Sequence, residues 1–254
     1  MVPYLAWVAV GIALSGGCSW ERVGRIVLHP DTSFWFLWVL FLINVVHAAC
    51  QRLARRWGKD ELLPMGVACI VLLGVMVGAE PRLFGYQFLA YYFMFYLLGY
   101  CVRRFPRLQV ERTVPLLVML VAWALMAWWW NMHELPAWMP RIPHVPATLV
   151  QYAYRGLTAL LGVLFLLGAA PKAMNGGGRM NRLVARVGVV SLGCYTCHLT
   201  MMGHLTHGLR MMMPGMGDGG LTAAAFAVCL CLTVAVVELL GRNKVTARLL
   251  LGKV

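Results

Sequence analysis

The chain of 254 residues is 61% hydrophobic and 12% charged, with a mean hydropathy of +0.74; soluble domains run at roughly 45–50% apolar and about 25% charged. So little charge cannot cover a water-soluble surface, which excludes a soluble globular enzyme, a disordered chain and a disulfide scaffold. What remains is a polytopic membrane protein, in which the 22 Lys+Arg against 9 Asp+Glu, a sign of nucleic acid in a soluble chain, matter by their distribution more than by their sum, because basic residues mark cytoplasmic loops.

A helix crossing a bilayer core about 30 Å thick needs roughly 20 apolar residues. Stretches approaching that length lie at about 2–16, 34–50, 62–79, 86–102, 114–131, 148–170, 183–208 and 221–240. Lipid offers the backbone no hydrogen-bond partners, so each span must be a helix. The fold expected is an all-α polytopic bundle of about eight transmembrane helices. No repeat, soluble domain or long linker interrupts it, and residues 1–254 read as one transmembrane domain.

At the start, residues 1–18 imitate a signal peptide, and Leu14-Ser15-Gly16-Gly17-Cys18 resembles a lipoprotein cleavage site. No Lys or Arg precedes the apolar run, whereas a signal peptide wants a positive n-region, so a first span is the preferred reading. Asp31, Thr32 and Ser33 precede the second span as N-cap candidates. Trp35 and Trp38 open that span, and Trp128, Trp129 and Trp130 close the fifth. An interfacial belt explains these rings; a platform for stacking sugars is the alternative.

The basic residues alternate between the connections. Arg52, Arg55, Arg56 and Lys59 follow the second span, and Arg103, Arg104, Arg107 and Arg112 follow the fourth. Lys172, Arg179, Arg182 and Arg186 follow the sixth, and Arg242, Lys244, Arg248 and Lys253 the eighth. This pattern predicts that both termini are cytoplasmic.

Arg155 sits one or two turns inside the sixth span beside Tyr152 and Tyr154. It either snorkels outward or holds an anion or a sugar hydroxyl. Asn175-Gly176-Gly177-Gly178-Arg179 lacks P-loop spacing and reads as a hinge. Cys194-Tyr195-Thr196-Cys197-His198 matches the C-x-x-C-H string of c-type haem attachment. It begins eight residues past Arg186, roughly 12–18 Å into the bilayer at about 1.5 Å per residue, which argues against haem. Cys194, Cys197, His198, His204 and His207 do not converge on one helical face, so no metal site is expected. Ser191, Tyr195 and His198 do share a face. That polar stripe either lines a path or makes an interhelical hydrogen bond. Glu238 is expected to pair with Arg242 at i,i+4. The cysteines lie in or at the ends of apolar runs and act as small hydrophobes.

Taken together, several stretches resemble the acyltransferase-3 family of integral membrane O-acyltransferases. They are FWFLWVLFLI (34–43), FYLLGYCVRRF (95–105), SLGCYTCHLT (191–200) and VELLGRNK (237–244), in order over roughly residues 1–252. In the third, Ser191, Gly193, Tyr195 and His198 match the family pattern. The resemblance implies transfer of an acyl group, acetyl by expectation, from cytoplasmic acyl-CoA to a hydroxyl of a cell-surface glycan or similar acceptor. It implies a multi-pass protein of the bacterial inner membrane, with acyl-CoA as co-substrate and no bound cofactor. His198, Tyr195 and Ser191 would line the substrate path, with Arg155, Trp35 and Trp38 toward the acceptor. Arg52, Arg55, Arg56, Arg103 and Arg104 would hold the donor's phosphates. Family members carry ten spans, with an Arg and a His in the first pair. Met1-Val2-Pro3-Tyr4-Leu5-Ala6-Trp7 is similar to the segment before their third span, so this sequence is expected to lack the first two spans and to leave the catalytic residue unassigned. The competing reading is a non-catalytic bundle: a transporter, a scaffold or a degenerate acyltransferase.

Overall fold

The computed structural model describes residues 5, 6, 9, 35–79, 83–106, 112–131, 134, 136–139, 146–174 and 178–251, and no strand occurs among them. The helices are α1 (Trp35–Trp57), α2 (Leu62–Ala79), α3 (Tyr86–Arg104), α4 (Thr113–Trp128), α5 (Ala147–Met174), α6 (Arg179–Met212), α7 (Asp218–Arg242) and α8 (Lys244–Leu251), with a 3-10 turn at Leu83–Gly85. Of these, α1 to α7 overlap the second to eighth predicted spans, and α8 lies beyond the last of them. The first span, Cys18, and the cap residues Asp31, Thr32 and Ser33 lie outside the described residues, apart from three positions of that span.

Four helices, α1, α2, α5 and α7, are long and apolar enough to cross a membrane, and α4 is apolar over 16 residues. The other two of the seven are diluted by polar groups: tyrosines in α3, and Arg182, Arg186, Ser191 and His198 in α6. Exposure follows the pattern of a protein solvated by lipid. Val114, Leu117, Val118, Val121 and Leu125 form an exposed apolar face on α4, and Ile70 on α2 is 73% exposed. The buried positions include cysteines, alanines, and Thr158, Thr196 and Thr233. Helices in lipid gain nothing by hiding leucine; they associate where small residues let backbones approach.

The chain forms two compact units. In the terminal unit, the first turns of α1 pack with α6, α7 and α8 around Leu37, Trp38, Val190, Cys194, Cys197 and Val237. A Cβ on Gly193 would stand 2.8 Å from both methyls of Val237 and 3.0 Å from a methyl of Leu251, so this approach requires glycine. Arg210 pairs with Asp218 at 2.8 Å, closing the α6–α7 turn, and Arg186 pairs with Glu238 at 2.6 Å near the other end. The expected partner of Glu238 was Arg242, on its own helix; the antiparallel neighbour supplies the cation instead. Asn243 caps α8 by accepting from the Val245 N–H at 2.8 Å. The indole of Trp38 donates to the carbonyl of Phe84 at 2.9 Å. Phe84 has φ 55, in the left-handed region that favours glycine.

The central unit holds residues 43–82 and 86–177, with α2 against α3 and α4 against α5. Tyr86 donates to the Leu72 carbonyl at 3.1 Å and Tyr154 to that of Met126 at 2.6 Å, each tying two helices together. α1 ends at Gly58 (φ 61), where the Lys59 N–H reaches back to the Ala54 carbonyl at 3.0 Å. This left-handed glycine stop satisfies carbonyls that the helix end leaves open. Asp60 then accepts the Leu62 N–H at 2.9 Å and starts α2, so only a few residues separate the two helices.

Candidate functional site

That short connection brings Glu61 under the end of α1 and beside α3. On α3, Tyr96, Tyr100 and Arg104 recur every four residues and share one face. On α1, His47 and Gln51 do the same. The Tyr96 hydroxyl meets His47 Nδ1 at 2.7 Å. Glu61 Oε2 accepts from the Tyr100 hydroxyl at 3.0 Å and from Gln51 Nε2 at 3.4 Å, and lies 3.8 Å from His47 Nε2. The rings of Tyr96 and Tyr100 stand edge-on to the imidazole at 5.5 and 5.7 Å. Arg104 pairs with Asp60 alongside. The Tyr100 hydroxyl, then Asp60, holds the Arg104 guanidinium above its ordinary range.

His47 Nε2 is buried without a hydrogen-bond partner among the described residues. A buried polar atom left open in this way normally has a use, since desolvating it costs about 1–3 kcal/mol. The tautomer that leaves Nε2 as an acceptor puts the proton on Nδ1, where it donates to the Tyr96 oxygen. Nε2 then presents a lone pair toward Glu61 and cannot bond it. Once protonated, it faces a carboxylate that stabilises the new charge. Such an arrangement can take up one proton and return it.

Around the same end of the unit stand the arginines predicted to hold phosphate. Arg52, Arg55, Arg56 and Arg103 are exposed, in the last turns of α1 and α3. Cations there complement the negative ends of the helix dipoles.

One turn back along α3 from Tyr96, Tyr92 lines a cavity of about 580 Å³ together with Tyr91, Phe95, Trp123, Ala127, Trp130, Arg155, Thr158, Ala159 and Val163. Among the described lining residues Arg155 alone carries a charge, with its guanidinium 6.0 Å from the Trp130 ring centroid. Among the described residues no carboxylate pairs with it. Trp123 is seated by Gly162, whose missing Cβ would lie 2.8 Å from the indole nitrogen.

The other predicted site residues fall in the terminal unit. Tyr195 and His198 are 5.5 Å apart by ring centroid, and Phe36, beside Trp35, meets Tyr195 at 5.2 Å. Ser191 and His198 meet carbonyls of their own helix. Ser191 donates to the Gly188 carbonyl at 2.8 Å, and His198 Nδ1 lies 3.2 Å from the Cys194 carbonyl. Hydrogen bonds of this kind to the preceding turn satisfy a polar group within its own helix. Trp38 is buried. The structure thus brings Arg155 and the five arginines into one unit, and the Ser191–Tyr195–His198 stripe with Trp35 and Trp38 into the other.

Sequence reasoning missed His47, Glu61, Tyr96 and Tyr100. The signal was present: a histidine inside WVLFLINVVHAAC is as costly in a membrane span as His198. No group of three or more His, Cys, Asp or Glu converges to hold a metal ion among the described residues.

A family model described as an acyltransferase domain covers residues 1–241. No curated protein and no solved structure matches the chain.

Proposed function

We propose that this chain, which belongs to the acyltransferase-3 family, transfers an acyl group, acetyl in the simplest case, from acyl-CoA to a hydroxyl of a glycan or similar acceptor. The membrane acyltransferase assignment follows from the family and the apolar helices. Donor and acceptor are our reading, as are the bacterial inner membrane and the inward-facing termini.

The observation that carries the reading is the buried Nε2 of His47, opposite Glu61 and without a hydrogen-bond partner among the described residues. Esterifying a hydroxyl requires removal of its proton as the new bond forms. In the proposed step Nε2 accepts that proton while the oxygen attacks the thioester carbonyl. The C–O bond forms, the C–S bond breaks, and the departing CoA thiolate takes the proton back from Nε2. Glu61 stabilises the transient imidazolium, and in the receptive tautomer the Tyr96 oxygen accepts from Nδ1–H and orients the ring. Arg52, Arg55, Arg56, Arg103 and Arg104 supply cations for the donor's phosphates. The acceptor occupies the Arg155 cavity, one helical turn from Tyr96. The stripe of Ser191, Tyr195 and His198, with Trp35 and Trp38, keeps a secondary role as path lining.

The test is acyl transfer from radiolabelled acetyl-CoA to hydroxyl acceptors by the full chain in lipid nanodiscs. His47→Gln should lower kcat by roughly 10²–10⁴-fold, the range of general-base catalysis, with thermal stability retained. Unchanged turnover would remove His47 from the chemistry. Absence of any transfer by the parent chain would favour the non-catalytic bundle.

A further inference from the structure

The Arg155 cavity combines two features that together narrow the ligand. Its walls are aromatic: Tyr91 and Tyr92 from α3, Trp123 and Trp130 from α4 and its end. Flat rings of this type stack on the C–H faces of sugars and exclude strongly hydrated chains. The single charge among its described lining residues is a guanidinium that no described carboxylate neutralises. A cation in an otherwise apolar recess is unfavourable until an anion arrives, and the planar fork of Arg fits a carboxylate or a phosphate through two parallel hydrogen bonds; the aromatic walls favour the anion that a sugar ring carries, a carboxylate. The volume, about 580 Å³, lies within the range of small-molecule sites and exceeds what a bare anion fills. The helix that carries Arg155 is itself held in place. It is tied to α4 by the Tyr154 hydroxyl on the Met126 carbonyl, and Thr158, one turn on, bonds back to Tyr154.

From these walls and this cation, which pairs with no carboxylate among the described residues, we infer that the acceptor is an acidic saccharide. A uronic-acid-type carboxylate sits on Arg155, and the sugar ring stacks on Trp123, Trp130 and the α3 tyrosines. The inference rests on the acyl-transfer reading for what happens to the hydroxyl, but the binding site stands on its own geometry. The carboxylate sets the register of the ring and so selects which hydroxyl faces the Tyr96 side of the cavity.

The experiment compares digalacturonate with neutral digalactose, the same ring skeleton without the charge, binding to the full chain in phosphatidylcholine nanodiscs by calorimetry. Digalacturonate should bind at least about tenfold more tightly, equivalent to about 1.4 kcal/mol, and its advantage should shrink as salt is raised. Arg155→Gln should reduce the preference to twofold or less while neutral binding persists, and Arg155→Lys should retain part of it. If Arg155→Gln does not fold, the salt dependence in the parent chain and the Arg155→Lys variant still decide. Equal affinities for the two sugars, binding of neither, or a preference surviving in Arg155→Gln would overturn the inference. So would loss of digalacturonate binding when phosphatidate is added to the nanodiscs, which would give the cavity to a lipid phosphate. Transfer of acetyl to neutral and acidic sugars at equal rates would sink the inference while sparing the acyltransferase reading. Selective binding of digalacturonate without transfer would do the reverse.

Discussion

At His47 the imidazole is held through one nitrogen and open at the other. That asymmetry ranks the neighbouring substitutions. Glu61→Gln removes the charge that stabilises the imidazolium while keeping the hydrogen bonds from Tyr100 and Gln51 geometrically possible. It should lower kcat by roughly 10²-fold with KM for the donor little changed. Tyr96→Phe leaves Nδ1 without its partner and the ring without its orienting hydrogen bond, so its kcat should fall between those of the parent and His47→Gln. A Tyr96→Phe variant as fast as the parent would show that the ring needs no such hold. Gly162 makes a different kind of prediction. A Cβ there meets the Trp123 indole at 2.8 Å, so Gly162→Ala must push Trp123 toward the cavity. A cost of about 1–3 kcal/mol in stability is expected, read as a lower Tm in detergent, together with weaker saccharide binding. At this scale the sequence disclosed Arg155 and the arginine clusters because each is conspicuous alone. The His47 cluster was hidden because its members come from two helices and the connection after α1, and Glu61 reaches it only through the Gly58 stop and the Asp60 cap.

Helices were the most legible level, because hydropathy over some 20 residues is a strong signal and the span at 62–79 reappears as Leu62–Ala79. What escaped were features set by neighbours. α8 is short and amphipathic, so no apolar run announces it. Glu238 has a suitable arginine at i+4, yet the α6–α7 pairing brings Arg186 to 2.6 Å. Gly193 matched the family motif as a letter, but its cause lies in Val237 and Leu251 on other elements. Gly193→Ala should therefore cost about 1–3 kcal/mol by overpacking, whereas Gly188→Ala, with nothing within 4 Å of its Cβ, should be neutral or slightly stabilising. A Tm for Gly193→Ala equal to the parent's would mean that the crossing relaxes. Trp38→Phe isolates another link: the ring stays while the donor to the Phe84 carbonyl is lost. Leaving that carbonyl unsatisfied should cost about 1–3 kcal/mol and lower the Tm, and unaltered stability would show that the carbonyl finds another partner.

For the whole molecule, orientation in the membrane decides whether the proposed chemistry meets its substrates. Acyl-CoA is a cytoplasmic, highly anionic molecule, so the arginines of α1 and α3 must face inward for the donor reading to hold. The same residues should set that orientation, because cytoplasmic connections retain Lys and Arg. Arg242, Lys244 and Arg248 at the exit of α7 repeat the signal, so the α1–α2 connection, the end of α3 and the region beyond α7 should share one side. Tryptophans at the end of α4 and in the segment after it should lie on the other. Trp128, Trp129 and Trp138 are exposed there, with Trp129 and Trp138 edge to face at 6.0 Å, as rings at headgroup depth would be. Two reporters read this out when inserted after Lys59, after Asn131 and after Leu251. A fluorescent protein that matures only in the cytoplasm should glow at Lys59 and Leu251. Alkaline phosphatase, active only outside, should work at Asn131 alone. Phosphatase activity at Lys59 would place Glu61, Arg104 and the His47 cluster on the side that acyl-CoA does not reach, and the base and the phosphate-binding arginines would lose their assigned roles together.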